Sequence, residues 1–236
     1  MQLKNIFIIC KEERKEIVEG LIQRSYPGLN FHVLMILASC IAAIGLIIDN
    51  MAIIIGSMLV APILYPVLCL GMSASIRDFN IIKRTLFIII KIVVLGVSIG
   101  FLSALVFRSF VRISETGVFL ENFMLPIFYV SIVSGLAASF AITRKSSQEF
   151  LSGVAVSIFL IPPLVNIGVA LGSGHMQAFY YSLQIFAINI FGIFLASITV
   201  FSLMGFSRES KTAQKIIKEE EKYLKKGAVE FGDNKK

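Results

Sequence analysis

Residues 56–66 read GSMLVAPILYP, an apolar stretch in which two prolines, Pro62 and Pro66, stand four positions apart. Such a stretch is typical of a membrane helix, but proline has no backbone N–H and interrupts helical hydrogen bonding. In lipid an unpaired backbone group is costly, so an interrupted helix must be covered by protein or line a wet cavity. The stretch therefore predicts a membrane helix that is broken at a protected place.

The composition of the whole chain indicates an integral membrane protein. Of its 236 residues 56% are hydrophobic and 16% are charged, and the mean hydropathy is +0.84. A helix that spans a bilayer needs about 20 apolar residues. Runs with few or no charges predict six such helices, at about 30–49, 51–75, 85–107, 123–143, 150–172 and 179–206.

These helices divide the chain into two groups of three. We predict a short cytoplasmic N-terminal segment (1–29), a first three-helix repeat (30–107), an extracytoplasmic loop (108–122), a second three-helix repeat (123–206) and a charged cytoplasmic C-terminal helix or tail (207–236). Lys and Arg gather before the first helix, in alternate connections and in the tail, and cationic loops stay inside. The sequence thus predicts a protein of the cell (inner) membrane with both termini in the cytoplasm.

An internal repeat relates the two groups. A shift of 100 residues lays Ser57 on Ser157 and Pro62 on Pro162, and helices one to three on helices four to six. A unit of three helices is odd, so the second copy enters the membrane from the opposite side, as in many secondary transporters. The predicted fold class is an all-α polytopic membrane protein of two inverted three-helix repeats, with proline-broken helices two and five.

Paired broken helices predict a mid-membrane site for a small ion or polar solute. Freed carbonyls and half-helix ends carry partial charges that hold such solutes without charged side chains. The predicted pathway residues are Ser57, Ala61, Pro62, Tyr65, Pro66, Ser157, Pro162, Pro163 and Asn166. Further charged or polar candidates are Asp49, Lys91, Glu149 and Asn189.

Each candidate also has a structural interpretation. The prolines are explained by simple kinks, in which a neighbouring serine satisfies a carbonyl. Asp49 and Glu149 fit first-turn carboxylates, which the helix dipole favours. Lys91 fits a side chain that reaches the membrane surface, and Asn189 fits an interhelical hydrogen bond.

No pattern in the sequence predicts an enzyme, a cofactor or a metal site. The three cysteines are scattered, and His32 and His175 stand alone at predicted helix ends. The net charge of +7 lies mostly in the tail among glutamates, so it indicates no nucleic-acid partner. The tail is interpreted as a solvated helix or as a segment that binds anionic lipid headgroups.

Two segments resemble a bacterial and archaeal family of hydrophobic membrane proteins catalogued as a domain of unknown function. They read IIIGSMLVAPILYPVLCLG (53–71) and SGVAVSIFLIPPLVNIG (152–168). The resemblance covers about residues 30–206 and implies a membrane fold, but no substrate. The residues that match its motifs are Gly56, Met58, Leu59, Ala61, Pro62, Pro66, Pro162 and Pro163. Tyr65 departs from the pattern, because glycine is common there.

Two functions stay open on the sequence alone. The first is membrane transport of a small ion or polar solute through the paired breaks, with the lipid bilayer as surroundings. The alternative is a non-transporting membrane scaffold whose basic tail binds anionic lipid or a cytoplasmic partner. In either case we expect a homo-oligomer, since six helices give a broken site little cover.

Overall fold

The computed structural model describes residues 10–107, 124–144 and 159–208, together with Ala213, Lys215 and Ile216. These residues form eight α-helices, a terminal 3-10 turn and no β-strand. The helices are α1 (Lys11–Ser25), α2 (Leu29–Ile47), α3 (Met51–Val60), α4 (Leu64–Ile76), α5 (Phe79–Val106), α6 (Met124–Thr143), α7 (Ile161–Ser173) and α8 (Met176–Leu203).

Four of these helices, α2, α5, α6 and α8, are long and apolar enough to cross a membrane. Helices α3 and α4 make a fifth candidate span if they are taken together across a bend of 53°. Helix α7 has 13 residues and is about 20 Å long at 1.5 Å per residue, which is shorter than a bilayer core. The described residues thus hold four to five candidate spans where the sequence predicts six.

The third predicted helix begins earlier than expected, at Phe79 instead of residue 85, because Asp78 caps it. One carboxylate oxygen of the buried Asp78 accepts hydrogen bonds from the backbone N–H groups of Asn80 (3.0 Å) and Ile81 (3.4 Å). An aspartate in this position stabilises a helix start. Lys83 therefore lies in α5.

Helices of the two halves pack with their backbones in contact. A Cβ atom added at Gly168 of α7 would overlap the carbonyl oxygen of Val97 in α5 and lie 2.7 Å from the amide nitrogen of Phe101. A Cβ atom added at Gly100 of α5 would overlap the carbonyl oxygen of Val165 in α7. Small residues allow this close approach in membranes, where dispersion rather than the hydrophobic effect holds helices together.

Helix α8 packs in the same way. On α6 it meets Gly135, where an added Cβ would lie 2.8 Å from the Cα atom of Ile193. On α4 it meets Gly71, where an added Cβ would overlap the side chain of Ser197. Helices α5 and α8 therefore each pack against a short helix from the opposite half, α7 and α4 respectively.

Helix α1, in the N-terminal segment that the sequence predicts to be a short extension, packs on the core. Val18, Leu21 and Ile22 of α1 are at most 3% exposed and belong to the same apolar cluster as α4. At its other end, Arg14 donates from Nη1 to the carbonyl oxygen of Met204 at 3.4 Å. Helix α1 and the end of α8 thus lie at the same end of the bundle.

The start of the C-terminal tail also packs on the protein. Ala213 and Ile216 are buried, as is Phe206 in the terminal 3-10 turn. These positions of the tail therefore pack on the protein. Most of the predicted solvated tail lies outside the described residues.

Helices α4 and α5 have equivalents in α7 and α8. The two short helices have 13 residues each and the two long ones 28 each. Each short helix ends at a left-handed residue, Arg77 (φ 61°) and Gly174 (φ 80°). The next N–H bonds back to a carbonyl of the helix, from Asp78 to Ser73 and from His175 to Ala170. The offset is 97 residues (77 to 174, 78 to 175), which differs from the shift of 100 in the sequence comparison.

Candidate functional site

The break predicted from Pro62 is present. Helix α3 ends at Val60, and Ala61 is extended, with φ −77° and ψ 123°. The ring of a proline disfavours a helical conformation of the preceding residue, so Pro62 accounts for the extended Ala61. The chain turns helical again at Leu64, and the two helices differ in direction by 53°.

The other three predicted pathway prolines lie in the first turns of described helices. Pro66 is the third residue of α4, and Pro162 and Pro163 are the second and third residues of α7. The first N–H groups of a helix have no intrahelical acceptor, so proline is tolerated there. These prolines help to start helices. Residues 150–158 of the fifth predicted helix lie outside the described residues.

The break presents more backbone acceptors than donors. The last four carbonyl groups of a helix lack intrahelical donors, and in α3 they belong to residues 57–60. Pro62 has no N–H to offer Met58, and Pro66 removes one N–H from the first turn of α4. At the start of α7, Pro162 and Pro163 remove two more N–H groups. The starts of α4 and α7 thus offer fewer N–H donors than they would without proline.

Two predicted pathway side chains are engaged locally. The hydroxyl of the fully buried Ser57 donates to the carbonyl oxygen of Ile54 at 2.6 Å, one turn earlier in α3. Tyr65, half-buried, accepts a hydrogen bond on its hydroxyl from Nη1 of Arg24 at 3.4 Å. The Arg24 guanidinium also lies over the Tyr65 ring, 5.5 Å from its centroid. Tyr65 thus links the helix after the break to α1.

Asn166 of α7 forms a polar pair with α8. Its Nδ2 donates to the hydroxyl of Ser182 at 2.7 Å, and Asn166 is half-buried. In the first half, the Cys69 thiol lies 3.8 Å from the hydroxyl of Thr85, between α4 and α5. The two pairs stand at the same offset of 97 residues (69 to 166, 85 to 182). Equivalent places in the two halves therefore both carry hydrogen-bonding side chains.

Asn189 of α8 holds the residue that precedes α7. Its Nδ2 donates to the carbonyl oxygen of Phe159 at 2.9 Å, and its Oδ1 accepts from the hydroxyl of Ser131 in α6. Asn189 is 3% exposed, and Phe159 has a left-handed backbone with φ 34°. A proline at position 163 cannot donate to this carbonyl, so the amide of Asn189 supplies the missing donor. Asn189 thus forms the interhelical hydrogen bond considered from the sequence.

Two predicted candidates lie away from the break. Asp49 is exposed in the turn before α3, with φ 55°, and the first-turn role predicted for it belongs to Asn50, which caps Ile53 at 3.2 Å. Lys91 is exposed on the outside of α5, with Nζ 4.6 Å from the Phe87 ring centroid. Both charged side chains are exposed. Glu149 and Ser157 lie outside the described residues.

The two sets of prolines begin short helices that share one apolar core. Ile63 and Leu64 after the first break, and Leu160 and Ile161 at the start of α7, are each at most 5% exposed and belong to the same cluster. Helices α3 and α7 are in contact. The residues that sequence reasoning missed are partners from other helices, namely Arg24, Thr85, Ser131 and Ser182. No motif marks them, since only the fold brings them to their partners.

Comparison with known proteins yields a family but no activity. A family model described as "Domain of unknown function (DUF389)" matches residues 58–195, which is more than half of the chain. An uncharacterised protein of the archaeon Methanocaldococcus jannaschii is 26% identical over 211 residues, covering 84% of this chain and 64% of the relative. No solved structure matches. The chain, with its apolar helices and its broken helix at Pro62, belongs to the DUF389 family of unknown function.

Proposed function

We propose that this chain carries a small ion or polar solute across the cell membrane through a site at the break between α3 and α4. It performs no chemical reaction on the solute and uses no cofactor. The observation that carries the proposal is the interruption of an apolar helix at Ala61–Ile63 inside a bundle of membrane-type helices. Irregular backbone at membrane depth is tolerated where it is buried in protein or lines a water-filled cavity.

We further propose that the chain is built from two inverted repeats. The equal lengths of α4 and α7 and of α5 and α8, their matching ends, and the equivalent polar pairs support this plan. So does the exchange of partners, in which α5 packs on α7 and α8 packs on α4. In inverted-repeat transporters the solute site lies where the two broken elements meet.

A cation, or a neutral solute rich in hydrogen-bond donors, is the solute class that we propose. Carbonyl groups at the end of α3 face no donor from Pro62, and the prolines at the starts of α4 and α7 remove N–H groups that would favour an anion. Lys91, whose positive charge would attract an anion, is exposed on the outer face of α5.

The membrane, the orientation of the chain and its partners are proposed as well. We propose that the membrane is the cell (inner) membrane, that α1 and the end of α8 lie on its cytoplasmic side, and that copies of the chain associate. The contact between Arg14 and Met204 supports placing both ends of the chain on one side. Anionic lipid headgroups are the proposed partners of the basic tail.

Flux through vesicles tests the transport proposal. Purified protein is reconstituted, and uptake of monovalent and divalent cations and of small polar solutes is compared with protein-free vesicles. The variant Pro62→Ala restores a donor for the carbonyl of Met58 and should lower uptake at least tenfold. Its control is Pro126→Ala, an exposed proline in the first turn of α6.

Two results would count against transport. Uptake that stays at the level of empty vesicles for every solute would favour the scaffold. Unchanged uptake by an inserted and folded Pro62→Ala protein would mean that transport does not depend on the break.

A further inference from the structure

We propose that α1 is a strap that covers the Cys69–Thr85 pair and controls access to the break from one side of the membrane. The control of access rests on the proposed function, whereas the covering of Cys69 by α1 can be tested without it. Helix α1 joins α2 through only the three residues Tyr26–Gly28, so it can swing about this linker without unfolding α2. Four sets of contacts support the strap.

The inner face of α1 is an apolar anchor. Val18, Leu21 and Ile22 are 0%, 1% and 3% exposed. The opposite face carries exposed polar residues, among them Glu12, Glu16, Glu19 and Gln23. A helix with one buried apolar face and one charged face lies on the bundle with its outer side in water or headgroups.

At its C-terminal end α1 reaches the break. Arg24 donates to the hydroxyl of Tyr65, the second residue of α4. The neighbouring Tyr26 lies under the guanidinium of Arg84 in α5, which is 4.3 Å from its ring centroid. These two arginine–tyrosine contacts hold the end of α1 between α4 and α5. Such contacts at partly exposed sites are weak, so they can break and reform.

Beneath this end of α1 lies Cys69. Ser25 at the end of α1 is 3% exposed, and its hydroxyl donates to the carbonyl oxygen of Leu21 at 2.6 Å. Cys69 lies one helical turn after Tyr65, on the face of α4 that Arg24 contacts. Cys69 is 3% exposed. Asn166, which holds the equivalent place in α7, is half-buried. Helix α1 therefore covers one of the two equivalent polar pairs.

The N-terminal end of α1 is tied to the other half of the chain. Arg14 bonds to the carbonyl oxygen of Met204, and a Cβ added at Gly205 would lie 3.2 Å from Arg14 Nη1. The strap thus runs from the end of α8 to the start of α4. A displacement of α8 relative to α4 would therefore strain or break the contacts of α1 with one of them.

Native Cys69 serves as the reporter of strap opening. The full chain carries Cys10→Ser and Cys40→Ala, is placed in vesicles, and is treated with N-ethylmaleimide. Leu21→Ala weakens the anchor, whereas Gln23→Ala changes an exposed residue of the same helix and is the control. We expect Leu21→Ala to speed modification of Cys69 at least tenfold and Gln23→Ala to leave the rate unchanged. Equal rates in the two variants would overturn the strap.

A second variant does not rely on weakening the fold. In Ser25→Cys the new thiol should form an intramolecular disulfide with Cys69 on mild oxidation, detected by peptide mapping. The oxidised chain should lose uptake, and a reductant should restore it. Failure to form the disulfide, or full uptake in the oxidised chain, would overturn the strap while leaving transport intact. If Cys69 is modified at the expected rates but neither the parent protein nor any variant takes up solute, the transport proposal is refuted and the covering by α1 stands.

Discussion

The contact between α5 and α7 makes a sharp prediction about stability. Changing Gly168 to Ala places a methyl group against the backbone of Val97 and Phe101, and backbone atoms cannot turn aside as a side chain can. Inserting a methyl group into a packed contact costs about 1–3 kcal/mol, and we expect the upper end here. Alanine recovers up to about 1 kcal/mol through its greater helix propensity.

The net loss is therefore about 2 kcal/mol. For a chain of this size each kcal/mol lowers the melting temperature by about 2–4 °C, so Gly168→Ala should melt about 4–8 °C lower. Gly56→Ala is the matched control, because an added Cβ meets no atom within 4 Å there. The control should keep or slightly raise the melting temperature.

Thermal unfolding in detergent, followed by circular dichroism, measures both variants. Gly100→Ala should behave like Gly168→Ala, since its added Cβ would overlap the carbonyl oxygen of Val165. The double variant should lose less than the sum of the two, because a separation of α5 from α7 relieves both overlaps. A Gly168→Ala protein as stable as the Gly56→Ala protein would refute the backbone contact between the halves.

Three further predictions concern polar groups. Asn189→Leu leaves the carbonyl of Phe159 without its donor and should destabilise the protein by about 1–3 kcal/mol in thermal unfolding. Ser131→Ala should cost less stability, because the hydrogen bond from Asn189 to Phe159 remains. Asn166→Leu should lower solute uptake in vesicles while the protein stays folded, and unchanged uptake would remove Asn166 from the pathway. Lys91→Gln should leave uptake unchanged, because Lys91 is exposed on the outer face of α5; a large loss would place it in the pathway.

Residues whose effect is local could be predicted from the sequence. Pro62 breaks its helix where it stands, because a missing N–H and a steric clash act on the nearest turns. The apolar runs predicted the membrane helices because the length and hydropathy of a span are also local properties of the sequence. Pro66, Pro162 and Pro163 lie in the first turns of α4 and α7, and the sequence alone did not fix where these two helices begin.

Contacts between distant residues could not be predicted. The pairing of Asn189 with Phe159 and of Arg24 with Tyr65 depends on how helices cross, which no local pattern specifies. The burial of α1 was missed because Val18, Leu21 and Ile22 are few among many charged neighbours. The offset of 97 residues between the two halves was missed because matching serines and prolines favoured a shift of 100. The helix ends and the glycine contacts, which show the offset of 97, are visible only in the structure.

Solvent access at the break tests the central claim most directly. Single cysteines are placed at Ala61, which is half-buried in the break, and at Leu59, which is 57% exposed on the apolar outside of α3, in a chain without Cys10, Cys40 and Cys69. A membrane-impermeant thiol reagent is then applied from each side of the vesicle. We expect Ala61→Cys to be labelled and Leu59→Cys, which faces lipid, to be protected. Protection of both from either side, in folded protein, would mean that the break is a dry kink and would contradict a solute pathway.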